Sequence, residues 1–489
     1  MSVFCDSKIP GSALDVERVN ELTEAFPTER ANRIAKNAVT SSDVYKAARN
    51  PTAMRAYTDT FGVSLKAAKT VTNQRQSGRC WMFSTLNVLR ARALKTFDVD
   101  DFEFSQAYGM FYDKLEKANS FLGYVLETAA LPWGDRTVEF ILENTPAADG
   151  GEWQFAANLI DKWGAVPKEA MPETACTKNS RQMDDTLRRL LHKDAVELRR
   201  MVAAGEDQTG LEAAHEAMLA DVHRVLVSCL GEPPLAFDFE LEVGADAKVD
   251  EAKLTPALPA RDGDDKKPRR ILRERGITPR EFVERYTGFK GDDYVELTYI
   301  PGDGRELGHA YGIRWFDTVF GAHPMRFLNV DPDVIEAAAV ASLKAGVPCY
   351  MACDVSQEFG RTLDDFPGTI ALDTMDRASL FGVDLDMERT EMLECRETRF
   401  THAMTFQGVE LDEGGRAKAW RVENSWGKDS CKGGYLIVSA DWYRLFGGDV
   451  AVERRFVPAE VLEAWDNAPL EMTDPWSTLS AARAIGRVE

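Results

Sequence analysis

Paired cysteines and histidines are scarce in this chain, and that scarcity narrows the chemistry open to it. Its 489 residues hold eight cysteines, at positions 5, 80, 176, 229, 349, 353, 395 and 431, with no C-x-x-C pair among them. That excludes a zinc ribbon and a thioredoxin-like redox site. Eight cysteines so widely spread are too few for a disulfide scaffold, and reduced thiols are expected. No metal-ligand cluster and no phosphate-cradling glycine loop is found, so the expected cofactor is none. Long apolar runs are also missing: the longest stretches, such as 335–343, fall well short of a membrane span. Met1-Ser-Val-Phe-Cys-Asp-Ser-Lys has no basic segment followed by an apolar one, so a cytoplasmic protein is the expectation. Positive charge is in deficit: 59 basic residues face 80 acidic ones, a formal net charge of −21. Such a surface repels phosphate backbones, so nucleic acid is not expected as a partner, and the short apolar runs give no reason to expect a membrane.

What is present, 44% hydrophobic and 28% charged residues, describes an ordinary globular protein with ample length for a large core. Residues 1–60 mix short helical patterns with turns and read as an N-terminal arm. From Ser77 to Phe97 the text is helical, with Met82, Leu86, Leu89 and Ala93 at three- and four-residue spacing. Aromatic-rich helical text continues from Glu103 to Leu131. Residues 181–230 read as two amphipathic helices, on the stripes Leu187-Leu191-Leu198-Val202 and Leu211-Met218-Val222-Val225. Val243 to Arg270 has loop composition, and Thr278-Pro-Arg-Glu starts a helix with a capping box. The last third alternates instead: Phe400, His402, Met404 and Phe406 share one side, Trp420, Val422, Asn424 and Trp426 another, and Tyr435–Val438 is a buried strand. The fold class expected is α+β. Its divisions are 61–180 and 291–465 as the helical and sheet parts of one core, a helical insertion at 181–290, and a C-terminal arm at 466–489.

One segment carries chemistry. In Asn73-Gln-Arg-Gln-Ser-Gly-Arg-Cys80-Trp-Met-Phe-Ser84 a polar turn runs into an amphipathic helix with cysteine at the junction. A lone cysteine is ordinarily a small core residue. At a helix start, however, the dipole stabilises a thiolate, and an imidazolium nearby stabilises it further. Of the six histidines, His192, His215 and His223 lie in the helical insertion and His323 in a turn. Two candidates remain. His309 has Asn329 twenty residues later; His402 has Asn424 twenty-two residues later, at the end of a strand and followed by Ser425-Trp426-Gly427. His402 is preferred, and His309 is expected to be structural.

Gln74, Ser77-Gly78, Cys80-Trp81 and Phe83-Ser84, taken with Asn424-Ser425-Trp426-Gly427, resemble the active-site segments of papain-like cysteine peptidases. The resemblance implies Cys80 as nucleophile, His402 as its acid–base partner, Asn424 as the residue that orients the histidine, and Gln74 with the Cys80 amide as oxyanion donors. Gly150 and Gly151 would then let substrate backbone approach, and Trp426 would shield the histidine pair and border the substrate. The 322 residues from Cys80 to His402 exceed the roughly 130–150 of simple papain-like enzymes. Most of the chain instead resembles the bleomycin hydrolase and aminopeptidase C branch, including Glu103-Phe-Ser-Gln106, Asp149-Gly-Gly-Glu-Trp153, Thr401–Phe406 and Phe456-Val-Pro458. That implies the papain-like fold with a helical left part and an antiparallel right part, peptide substrates, a homo-hexamer, and a C-terminal arm that makes the enzyme an aminopeptidase. Asp474-Pro475-Trp476 resembles the family's tail, while Ser477-Thr-Leu-Ser480 departs from it. An endopeptidase of the same fold, an acyltransferase using an amine as acceptor, and a peptide-holding scaffold are the other readings.

Overall fold

A computed structural model of the chain describes residues 14–144, 147–259, 269–360, 368–372 and 374–483. Its strands, in chain order, are β1 (Val63–Ser64), β2 (Phe237–Val243), β3 (Arg270–Ile277), β4 (Tyr294–Thr298), β5 (Ala310–Ile313), β6 (Phe327–Asn329), β7 (Cys349–Cys353), β8 (Thr369–Ile370), β9 (His402–Leu411), β10 (Ala417–Glu423), β11 (Tyr435–Ser439), β12 (Gly447–Glu453) and β13 (Leu470–Thr473). The described strands other than β2 and β3 form one sheet in the order β13-β5-β6-β4-β12-β7-β9-β10-β11-β8, with β1 paired to β9.

Helices dominate the first half. Cys80–Phe97 and Gln106–Glu127 form its centre, joined by Trp153–Trp163. Both of the long helices expected in the insertion are present, at Arg181–Ala204 and Gln208–Leu230, and pack on the 106–127 helix. Leu187, Leu191, Leu198, Val222 and Leu226 are fully buried, as an apolar stripe at helical spacing requires. The helix Pro279–Tyr286 carries the expected capping box: Thr278 and Glu281 each accept the other's backbone N–H.

Two features depart from the sequence reading. The insertion is not wholly helical, because β2 and β3 pair as an antiparallel hairpin around the loop-like stretch. Phe237-Asp-Phe-Glu-Leu-Glu-Val243 alternates apolar and acidic residues, a strand signal that the neighbouring helices overshadowed. The main sheet is also mixed rather than antiparallel: β8–β11, β4–β6 and β5–β13 run parallel. Each of those pairs joins strands separated by a long excursion of chain, and such excursions permit parallel pairing that tight hairpins forbid.

The sheet has its own core of Val295, Met351, Phe406, Trp420, Val422 and Trp442. A second core, centred on Trp81, Phe111, Trp153 and Phe282, fills the helical half. The Cys80 helix lies between them. It packs on β7 and β9, and Ser84 and Thr405 hydrogen-bond across that seam at 3.2 Å. The start of this helix and the start of β9 meet at the junction of the halves, where the Cys80 thiol faces the Ala403 backbone. In the N-terminal arm, Val16–Ala25 and Arg30–Ser41 bury no residue; the part of the arm before residue 14 lies outside the described residues. No described helix is long and apolar enough to cross a membrane.

Candidate active site

Cys80 is the first residue of its helix, so its thiol sits where unpaired backbone N–H groups and the helix dipole favour negative charge. It is 5% exposed. Burial pushes the thiol up to about 11, and the N–H groups of Ala403, Trp81 and Cys80 itself pull it back down. By itself this thiol is neutral at pH 7, so forming a thiolate requires a proton acceptor. Ala403 follows His402, and His402 begins β9.

The His402 ring is fixed on two sides. Its Nε2 lies 2.9 Å from Asn424 Oδ1, which makes Nε2 the protonated nitrogen of the neutral ring and leaves Nδ1 as the basic one. Trp426 stacks on the ring with centroids 4.9 Å apart and planes at 26°. Asn424 is fully buried, and Oδ1 also accepts the Ser425 N–H at 2.7 Å. Gln74 is tied to the residue that follows Asn424. Its backbone N–H donates to Ser425 O at 2.8 Å, its Oε1 accepts the Ser425 hydroxyl at 2.6 Å, and its Nε2 donates to Ser77 O at 2.7 Å. One Nε2 hydrogen is committed to Ser77, and the second is the one available to an oxyanion.

The other histidine candidate is not part of this group. His309 is exposed and pairs through Nδ1 with Glu471 at 2.5 Å, while Asn329 is buried and holds the backbones of Ile300 and Arg305. His309 and Asn329 meet only through their backbones, at 3.0 Å.

Several residues that hold the site were not picked out from the sequence. Asp149 Oδ2 accepts the Gly78 N–H at 2.7 Å and the Ser180 hydroxyl at 2.6 Å, which pins the turn two residues before Cys80. Burial alone would raise the Asp149 carboxyl, but the Lys114 ammonium 2.6 Å away takes it well below the carboxylate range. Lys114 is itself fully buried and also pairs with Asp184 at 2.8 Å. One turn further along the same helix, Lys117 Nζ donates to Gly150 O at 2.6 Å and Ala148 O at 3.0 Å. Arg79 grips Glu173 through two hydrogen bonds of 3.1 and 3.0 Å. Spacing could have pointed to the lysines, since 114 and 117 share a helix face, but a buried lysine reads like a surface one in sequence.

Gly150 and Gly151 lie against the segment that leads into the Cys80 helix. Gly150 has φ +94°, which a side chain disfavours, and its N–H donates to Gly78 O at 2.9 Å. A Cβ on Gly151 would meet the Trp81 indole at 2.5 Å. The close approach that needs glycine at 151 is thus to the protein's own Trp81. Gly151→Ala is expected to cost about 1–3 kcal/mol by overpacking, measured by urea denaturation; an unchanged midpoint would show that Trp81 gives way freely.

Beyond the glycines lies a buried ionic group. Arg483, fully buried, pairs with Asp449 at 2.5 Å, Glu296 at 2.6 Å and Glu152. Burial and mutual repulsion push Glu152 up to about 7 and Glu296 up to about 8, and burial raises Asp449 as well, against the pull of Arg483. A carboxyl whose folded pKa is raised stabilises the fold below its unfolded pKa, and that stability is lost as pH rises through the folded value. Melting temperature should therefore fall from pH 5 to pH 9. Glu296→Gln should flatten that fall, and an unaltered slope would exclude this group as its source.

Comparison with known proteins converges on one answer. A family model described as "Peptidase C1-like family" matches residues 13–258 and 261–480. The chain belongs to the Peptidase C1-like family. It is 36% identical over 466 residues to Aminopeptidase W of Lactobacillus delbrueckii subsp. lactis, covering 95% of this chain and 99% of that protein. It is 34% identical to Aminopeptidase C of Streptococcus thermophilus, covering 91% and 94%. The crystal structure of pepw from Lactobacillus rhamnosis superposes with a TM-score of 0.86 at 33% identity, covering 95% of this chain and 98% of that one. The α+β fold and the family expected from the Cys80 and Asn424 segments agree with these findings, which span both halves of the sheet and the inserted helices.

Proposed function

We propose that this member of the C1-like family is a cysteine aminopeptidase that releases N-terminal residues from peptides through a thioester on Cys80. The observation that carries the reading is the His402–Asn424 pair at the start of β9, beside a thiol at the start of a helix. The Cys80 proton passes to His402 Nδ1, and the thiolate attacks the substrate carbonyl. Gln74 Nε2 and the Cys80 N–H receive the oxyanion, His402 returns the proton to the departing amine, and water activated by His402 then hydrolyses the thioester. Gly150, Gly151 and Trp426 border the substrate. This chemistry uses only the chain's own side chains and asks for no cofactor.

The test is hydrolysis of matched fluorogenic peptides bearing free or acetylated N-termini, with Cys80→Ala as the control. Turnover of free-amine peptides alone supports the reading; equal turnover of acetylated peptides refutes the aminopeptidase assignment. Gln74→Ala should lower kcat about 10²–10³-fold, the range seen when one oxyanion donor is removed. A loss confined to KM would deny Gln74 that role.

Two further parts of the proposal concern setting. Leu14, Val16, Leu22, Phe26 and Ile34 are exposed on the N-terminal arm, and so many uncovered apolar side chains in one segment support assembly, which we take to be a homo-hexamer. Native mass spectrometry tests it. Cys80, Cys176, Cys229, Cys349, Cys353 and Cys395 form no disulfide, which fits a reducing compartment and a cytoplasmic location.

A further inference from the structure

We infer that Cys176 and Cys229 form a redox site, a pair of thiols that a low-molecular-weight disulfide oxidises to a protein disulfide, and that this oxidation acts on the turn presenting Cys80. The effect on turnover rests on the reading of Cys80 as nucleophile; the thiol pair itself does not.

The two cysteines are distant in sequence and belong to different helices. Cys176 lies in the first turn of the short helix Ala175–Lys178, and Cys229 is the penultimate residue of Gln208–Leu230. These helices pack on each other, and one hydroxyl joins their ends. Thr174 Oγ1 donates at 2.9 Å to Cys229 O, a carbonyl that the helix C-terminus leaves unpaired, and accepts the Thr177 N–H at 3.2 Å as N-cap of the shorter helix. Below this shared cap the two thiols meet side chain to side chain. Both are half-buried against the helical core, and no disulfide joins them. A single cysteine in such a place is a small apolar residue. Two in contact differ chemically, because a thiol held beside a mixed disulfide resolves it faster than one arriving from solution.

The reaction is thiol–disulfide exchange. Burial and the neighbouring thiol push Cys229 up to about 11, which keeps it protonated at neutral pH, so the first attack falls to Cys176. Its thiolate bonds to one sulfur of the small disulfide, and the other sulfur leaves as a thiolate. Cys229 then loses its proton and attacks the Cys176 sulfur, expelling the second small thiolate. The two protons given up by the cysteines go to the two departing thiolates. Two protein thiols are oxidised and one small disulfide is reduced to two thiols.

The pair adjoins the support of the catalytic turn. Thr177, next to Cys176 and fully buried, accepts from Arg79 Nη2 at 2.6 Å. Glu173 holds the same guanidinium, and Arg79 directly precedes Cys80. Lys178 O accepts the Gln76 N–H at 3.0 Å, and Asn179 Nδ2 donates to Gln76 Oε1 at 2.7 Å. Residues 173–179 therefore hold the turn 76–79 from behind. A disulfide brings its sulfurs to about 2.05 Å, far closer than unbonded thiols approach. The helix of 4 residues gives way before the helix of 23, and its grip on Arg79 and Gln76 shifts with it.

The experiment treats the full-length Cys80→Ala protein with oxidised glutathione, then maps an unreduced digest by mass spectrometry. A peptide joining Cys176 to Cys229, two hydrogens lighter than its reduced parts, is the expected result. Its absence when the exposed Cys395 has become glutathionylated overturns the site. Turnover is then compared in the parent enzyme, Cys176→Ala and Cys229→Ala, each oxidised and afterwards rinsed with a monothiol to free Cys80 of mixed disulfide. In the parent, kcat is expected to fall about tenfold, the scale of a slightly misplaced nucleophile, and to return with dithiothreitol. Neither alanine variant should show that fall. A mapped disulfide with the parent kcat unchanged overturns the coupling to Cys80. Absence of hydrolysis in the fully reduced parent is a separate outcome, and it strikes the peptidase reading instead.

Discussion

Cys80→Ala is expected to abolish peptide hydrolysis, with kcat falling by about four orders of magnitude or more. Removing the nucleophile of such a unit leaves only the small residual from the oxyanion site and binding. The alanine retains the helix start and removes one sulfur from a site already 5% exposed, so the fold should survive and substrate should still bind. Two measurements check this. Steady-state turnover should vanish, and intact mass after alkylation with a thiol reagent should show one modified position fewer. Burial and the raised thiol pKa predict that Cys80 in the free enzyme reacts only through its exchange with His402. Alkylation of Cys80 should therefore slow sharply in His402→Ala, while Cys395, which is exposed, reacts as before. Wild-type turnover in Cys80→Ala would falsify the nucleophile assignment outright.

Lys114→Met is expected to lower stability by about 3–5 kcal/mol, the cost of stranding a buried partner by removing one side of an ion pair. Lys114 is fully buried, donates to Ala147 O at 2.7 Å, and balances both Asp149 and Asp184. Methionine fits the volume and leaves the two carboxylates without the ammonium they share. The effect should extend to catalysis, since Asp149 holds the Gly78 N–H and so places the turn that presents Cys80. Denaturant midpoints and kcat are expected to fall together. Adding Asp184→Asn should recover part of the stability, because it removes one of the two stranded charges. A Lys114→Met enzyme with an unshifted midpoint would show that water reaches the site and replaces the ammonium.

The two halves of the active site were legible in the sequence to different degrees, for a physical reason. Cys80 announces itself locally: a glycine-containing turn, a helix start and an indole beside the thiol all fall within a dozen residues. The segment at Asn424 does the same at a strand end. What local text cannot express is the bringing together of positions 322 residues apart, and the choice between His309 and His402 needed the Asn-Ser-Trp-Gly context. In space the choice is simple, because Asn329 is spent on the backbones of Ile300 and Arg305, whereas Asn424 faces an imidazole.

Periodicity determined the long helices of the insertion, because a stripe such as Leu187-Leu191-Leu198 has only one way to be buried. It determined β9 and β10 equally well. It missed the β2–β3 hairpin and the parallel pairs of the main sheet, since which strands become neighbours is decided by how long connections fold back and not by the strands' own residues. The buried charges were out of reach for the same reason. Lys114, Glu152, Glu296, Asp449 and Arg483 are residue types that belong on surfaces unless each finds its opposite, and only the tertiary structure places those opposites together. The sequence by itself thus determined the class of fold and pointed to the residues proposed as nucleophile and partner. The tertiary structure alone decided what holds them in place, because burying charge is permitted only where distant parts of the chain supply its compensation.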